Sequence, residues 1–254
     1  MRIAVAYKWA PNAQDATVAG DGSVDWGRAK ASVSEYDQVA IEVGRRLADS
    51  TGAELVGITV GGADAASPIA RKTALSRGLD RLVVATDESM VGASAGRTSR
   101  ALAALVQEIG DLDLVLTGDS SQDLGAQLVP GVLAAVLGRP VVTNVTAVTG
   151  TPGDLIVHRV QEAGAQTLRV TGPVVLAVAG DAAEPRVPGM KDILAAGKKP
   201  TQVVEVPALA PEPVTVVATA PPEMKARKRL VLDGSDPAAA AAELVAALRA
   251  DQLV

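Results

Sequence analysis

Cysteine is absent from all 254 residues. Disulfides, thiolate metal sites and cysteine nucleophiles are therefore excluded. Phenylalanine is also absent, and Tyr7, Trp9, Trp26 and Tyr36 are the only aromatic residues, so the core must be built from Val, Leu, Ile and Ala. A core rich in alanine lets helices sit close to a sheet. His158 is the only histidine, and the sequence contains no HExxH, GxSxG or GxxxxGK(S/T). Self-sufficient hydrolysis and phosphoryl transfer are disfavoured on that account. The apolar start Met1–Lys8 is too short for a secretion signal, and no later run is long enough to cross a bilayer. A cytoplasmic protein with no direct membrane insertion is expected. The balance of 24 Lys and Arg against 29 Asp and Glu gives a net charge of -5, which offers no electrostatic reason to bind nucleic acid.

What is present is an alternation of short β-branched runs with amphipathic stretches. Ile3 to Tyr7, Leu55 to Val60, Leu82 to Ala85 and Leu114 to Thr117 read as buried strands. Tyr36 to Ala48, Ser67 to Arg77, Ala95 to Glu108 and Gly125 to Leu137 carry apolar residues at helical spacing. The pattern predicts an α/β fold with an open, doubly wound, mostly parallel sheet. Between the first strand and helix, Thr17-Val18 and Val24-Asp25-Trp26 flank a Gly-rich turn and predict a small hairpin. After Pro140, Val141 to Val148, Leu155 to Val160, Thr167 to Thr171 and Val174 to Ala179 read as antiparallel strands added to that sheet. From Asp181 to Pro222 there is no sustained periodicity, so this stretch is expected to lie on another molecule. Ser235-Asp236-Pro237 then starts an Ala-rich helix ending near Arg249. Two regions follow: a nucleotide-binding domain over 1–180, and a partner-recognition segment with an extended C-terminal arm over 181–254.

The chemistry concentrates in one loop. Leu116 to Gln127 runs from a strand into a polar, small-residue segment and then a helix. At the carboxyl end of a parallel strand such a loop leaves backbone N–H groups free to hold a phosphate. Ala6, which permits close approach, and Gly61-Gly62 would supply the facing edge. Asp119 and Asp123 serve equally well as helix caps in any α/β domain. His158, in an alternating strand beside Arg159, reads as structural. Lys198-Lys199 and Lys225-Ala226-Arg227-Lys228-Arg229 are basic clusters without interleaved aromatics, suited to solvent or to an acidic partner surface rather than to single-stranded nucleic acid.

Val157-His158-Arg159-Val160-Gln161-Glu162-Ala163-Gly164-Ala165-Gln166-Thr167-Leu168, followed by Pro173 to Ala177, resembles the signature of electron transfer flavoprotein beta subunits, with Ala163 as the one departure. Val5 to Lys8, Tyr36 to Ala40, Thr73 to Arg81 and the set Glu184-Pro185-Arg186, Pro188 and Lys198-Lys199 are similar to further segments of that family, in the same order. The resemblance extends to about Pro200 and implies an adenine nucleotide alpha hydrolase-like fold. It implies a non-catalytic electron carrier: a heterodimer whose alpha subunit supplies most of an FAD site, while the beta subunit holds AMP and docks on flavin-dependent dehydrogenases. Some members hold a second FAD in place of AMP. By position, the nucleotide would be lined by Ala6, Ser34, Tyr36, Asp37, Gly61, Gly118, Asp119, Ser120, Ser121, Asp123, Gly125, Ala126, Gln127, Leu128 and Val129. Arg186 and Met190 fall in the partner-recognition segment, Met190 where relatives place an apolar anchor. Departures gather at the nucleotide. Leu124, Leu128 and Val129 replace polar or glycine positions, and Ser34 and Glu35 replace Asn and Pro, which leaves mainly backbone donors. Ala13 replaces an aromatic residue near the flavin.

Two other readings share the predicted fold. A stand-alone adenine-nucleotide-binding module of stress-protein type would self-associate and dispense with the tail. An interaction scaffold would have kept the fold and lost the nucleotide.

Overall fold

The computed structural model describes residues 1–206, 209, 217 and 226–254. Arg2–Ala6 (β1) is followed by Trp9–Pro11 (β2), the hairpin Thr17–Val18 (β3) and Val24–Asp25 (β4), and Ala31–Val33 (β5), which pairs antiparallel with β2. The alternating part continues with Glu35–Thr51 (α1), Glu54–Gly61 (β6), Pro68–Ser76 (α2), Arg81–Thr86 (β7), Ala95–Ile109 (α3), Leu112–Gly118 (β8) and Val129–Leu137 (α4). Then come Val141–Thr151 (β9), Asp154–Gln161 (β10), Gly164–Thr171 (β11), Val174–Val178 (β12), Met190–Ala196 (α5) and Thr201–Glu205 (β13).

These strands form one nine-stranded sheet in the order β11-β10-β9-β12-β8-β1-β6-β7-β13, and from β9 to β13 every neighbouring pair is parallel. The expected doubly wound, mostly parallel sheet is present. Helices α1 and α2 bury Val39, Ile41, Leu47 and Leu75 against Ile3, Val5, Leu55 and Leu116 on one face. On the other, Leu102, Leu105, Val106 and Leu133 of α3 and α4 meet Ala4, Val56, Ile58 and Val115. Gly44 brings α1 close: a Cβ there would lie 2.9 Å from Leu55 Cδ1 and 3.0 Å from Leu116 Cδ1. Small residues at such positions replace the bulk that phenylalanine would supply in other cores.

Two expectations are corrected. Of the four segments after Pro140, three form antiparallel pairs as expected, β9 with β10 and β10 with β11, and the correction falls on the fourth. β12 inserts parallel between β8 and β9, and its uninterrupted buried run VVLAV is the mark of a central parallel strand. β9 serves both arrangements: Val141 to Val145 pairs parallel with β12, and Val145 to Thr151 pairs antiparallel with β10. The register shifts there, next to Asn144 with φ 56, a bulge that re-aims the strand. The second correction concerns the stretch after Asp181. It contains α5 and β13, and β13 extends the sheet beside β7. At seven and five residues these elements are too short to show a period, and Pro188, Gly189, Gly197 and Pro200 mark their ends.

The chain divides into two compact units, Met1–Val216 and Val217–Val254, and within the first β13 pairs with β7. In the second unit Pro237–Ala250 (α6) is capped by Asp236, whose carboxylate accepts from the N–H groups of Ala238 and Ala239. Lys228 of the basic cluster pairs with Asp251 in the same unit. Lys225 and most of the stretch from 207 to 222 lie outside the described residues. Among the described residues no helix is long and apolar enough to cross a membrane.

Candidate functional site

The chain leaves β1 toward β6 on one side, and β8 lies on the other, so the strand order reverses between β1 and β8. At such a point the flanking crossovers diverge and leave a crevice outside the carboxyl ends of the strands. Ala6 and Thr117 are register partners at its base.

The two strand ends are tied by one carboxylate. Asp37, in the first turn of α1, accepts from the N–H of Lys8 at 2.7 Å and from that of Gly118 at 3.1 Å. Burial pushes its pKa up to about 7, partly offset by those two donors and by the Lys8 charge. Burial, with the Asp37 charge added, also raises the pKa of the Tyr7 hydroxyl, which has no hydrogen-bond partner among the described residues. Gly118 must be glycine: a Cβ would sit 2.7 Å from Asp37 Oδ1 and 2.9 Å from the Tyr36 backbone. Ser34, fully buried, caps the approach to α1, and its hydroxyl accepts from the Gln122 N–H at 3.3 Å.

The loop from Gly118 to Leu128 is pinned from two directions. Lys8 Nζ reaches Asp123 Oδ2 at 2.5 Å. Burial alone would raise the Asp123 pKa, but hydrogen bonds from Lys8 and Ser121 and the Lys8 charge hold it below the usual carboxylate range. Gln122 Nε2 donates to the carbonyls of Ala10 and Pro11 at 3.0 and 3.2 Å and to Ser32 Oγ at 3.3 Å. The loop is thus fastened to the β2 and β5 insertion, whose next residues include Ala13. Lys8 and Thr117 were not placed at the site from sequence. Gln122 stood inside the quoted loop but has no motif value until its three acceptors are brought together.

The predicted nucleotide residues fall into three groups. Ala6, Ser34, Tyr36, Asp37, Gly118 and Asp123 converge at the crevice through the contacts above, and Asp119 follows Gly118 there, its N–H donating to the Val178 carbonyl at 3.1 Å. Ser120 and Ser121 are half-buried in the same loop, whereas Gly125, Ala126, Gln127 and Leu128 are exposed and precede Val129, the first residue of α4. That helix therefore starts at Val129 rather than at the expected Gly125. Its first turn has no capping side chain, so the N–H groups of Val129 and Gly131 are available to an anion, while Pro130 offers none. Gly61, on the strand next to β1, has its carbonyl engaged by the Asp87 N–H at 3.1 Å.

A nucleotide fits this donor set. Thr117 Oγ1, in a residue only 4% exposed, and the buried oxygens Asp119 Oδ1 and Asp123 Oδ1 have no partner among the described residues. Buried polar atoms are rarely left so. Burial raises the Asp119 pKa, opposed by its own backbone N–H and reinforced by the Asp181 charge. These acceptors suit sugar hydroxyls, and the α4 N-terminus suits a phosphate. Among the described residues no group of His, Asp and Glu could hold a metal ion. His158 is exposed on β10, with its Nδ1 3.0 Å from Thr167 Oγ1 on β11.

Arg186 and Met190 lie elsewhere, on the face of α1 and α2. Arg186 Nε reaches Glu42 Oε2 at 2.7 Å, and Arg46 holds the other oxygen at 2.9 Å. Burial would raise the Glu42 pKa, but the two arginines bring it below the ordinary value. Lys199 donates to the carbonyls of Leu75 and Leu79 at 3.2 and 2.6 Å, closing the end of α2. Arg186 is therefore an internal anchor, and Met190, 73% exposed, stands out from α5 with Leu194 one turn later.

The family model described as the electron transfer flavoprotein domain matches residues 23–209. The match spans α1, the crevice loop, the β9 to β11 extension and α5.

Proposed function

The chain belongs to the electron transfer flavoprotein domain family and has that family's general role in electron transfer, and within it we propose that this is the beta-type subunit, a non-catalytic carrier. It acts as a heterodimer with an FAD-binding alpha subunit, accepting electrons from flavin-dependent dehydrogenases and passing them on. FAD, when bound, supplies the redox chemistry. This chain's residues hold and orient: Ala6, Ser34, Asp37 and the loop from Gly118 to Val129 take AMP or a second FAD, and Gln122 ties that loop to the segment facing the shared flavin. Arg186 fixes α5 so that Met190 meets the dehydrogenase.

The observation that carries this reading is the apolar crest of α5, Met190 and Leu194, raised on a charged anchor instead of being buried. A self-contained nucleotide-binding module has no use for such a crest. The test is to co-express the chain with a candidate alpha subunit, denature the purified product and identify released nucleotides by mass spectrometry. FAD together with AMP, or two FAD per complex, is expected. Adenine nucleotide alone from a self-associated chain, or no nucleotide at all, rules the proposal out.

A further inference from the structure

Beside the crest runs a groove of about 290 Å³ between α2 and α5, lined by Ile69, Lys72, Thr73, Ser76, Pro188 and Ile193. It lies below the usual size of a small-molecule pocket, and its apolar walls suit a single side chain. Ile69 on its rim is 72% exposed, nearly as much as Met190. Lys72 lines it, and Lys191 of α5 and Lys198 just after that helix are exposed. Asp192 is the one carboxylate in α2 and α5, and it is occupied by the Gly189 N–H at 2.9 Å. The two helices that flank the groove thus carry mainly cationic side chains in a chain of net charge -5. Opposite charge on the partner would steer and orient the encounter.

We propose that this groove is the receiving half of a reciprocal docking surface: it takes one apolar side chain from an acidic face of the partner dehydrogenase while Met190 enters that partner. The inference rests on the docking reading above and adds to it a second contact on α2. The Arg186–Glu42 pair fixes the segment before α5 to α1, and Lys199, just after α5, donates to the Leu75 carbonyl of α2 and to that of Leu79, so the groove is preformed and little ordering is needed.

Photo-crosslinking of the whole chain in cells, with p-benzoylphenylalanine at position 69 or at position 190, tests it. Both positions are largely exposed and tolerate the substitution. The expected result is that both link to the same flavin dehydrogenase. The position 69 link should map to an apolar residue with Asp or Glu within a helical turn, and Lys72→Glu should lower its yield by roughly threefold or more. If position 190 links to a dehydrogenase and position 69 does not, the groove inference is wrong and the docking reading stands. A link from position 69 to a second copy or to the alpha subunit also overturns it. If neither position links to a dehydrogenase, the docking reading fails and takes the groove with it.

Discussion

Asp37 and Gly118 meet at the reversal of strand order, where the carboxylate oxygen accepts the glycine N–H at 3.1 Å and leaves no space for a side chain. The contact joins the start of α1 to the end of β8, and through the Lys8 N–H it joins both to β1. Stability and site geometry are therefore coupled at one buried charge.

Gly118→Ala would place a Cβ against backbone and carboxylate rather than against a movable side-chain tip. We expect a loss of about 1–3 kcal/mol, read as a lower urea midpoint with an unchanged slope. An unaltered midpoint would show that α1 can retreat from the strand.

The raised pKa of Asp37 gives a pH dependence of definite sign. Between its ordinary value of 3.8 and about 7 the folded chain holds a proton that the unfolded chain has released. Stability from this group is full below the lower value and is lost as pH rises to the upper one, by at most on the order of 4 kcal/mol. Urea titrations from pH 4.5 to 7.5 should show the decline in the wild type and a flatter profile in Asp37→Asn. Parallel profiles would mean that Asp37 stays ionised throughout.

Thr117→Val should separate stability from binding. The buried hydroxyl has no partner among the described residues, so its removal leaves the chain as stable or more stable, by up to about 1 kcal/mol. Affinity for AMP or FAD, followed calorimetrically, should fall several-fold if the hydroxyl faces the ligand. Unchanged affinity would place the ligand away from the base of the crevice.

Glu42→Gln keeps the shape of the anchor and removes the charge shared by Arg186 and Arg46. Because both arginines are well exposed, the stability loss should be modest, about 1–2 kcal/mol. Hydrogen exchange should quicken across residues 186–196 while the crevice stays protected. In the wild type this contribution is present above the ordinary glutamate pKa of 4.5 and is lost as pH falls through the depressed folded value. Equal exchange in the two proteins would show that α5 is held by packing alone.

The alternating half of the fold was legible in sequence because each element is long enough to complete a period. The hairpin at Thr17-Val18 and Val24-Asp25 was legible because its turn chemistry is local. Strand direction after Pro140 was not: an extended run records that it is buried, not which neighbour it pairs with. Even so, VVLAV carried the signal of a central strand. The loop from Gly118 to Val129 was located by its residue types, but the start of α4 was not, since the small polar residues from Ser120 to Gln127 suit a helix start and a loop alike.

Sequence by itself determined the composition of the core, the alternation of elements, the family and the loop that faces the crevice, because these depend on residue type and near spacing. Only the tertiary structure decided that Arg186 pairs with Glu42, 144 positions away, that Gln122 fastens the loop to the insertion, and that Asp37 sits buried between two strand ends. Each depends on which distant groups share a desolvated space, and no periodicity records that.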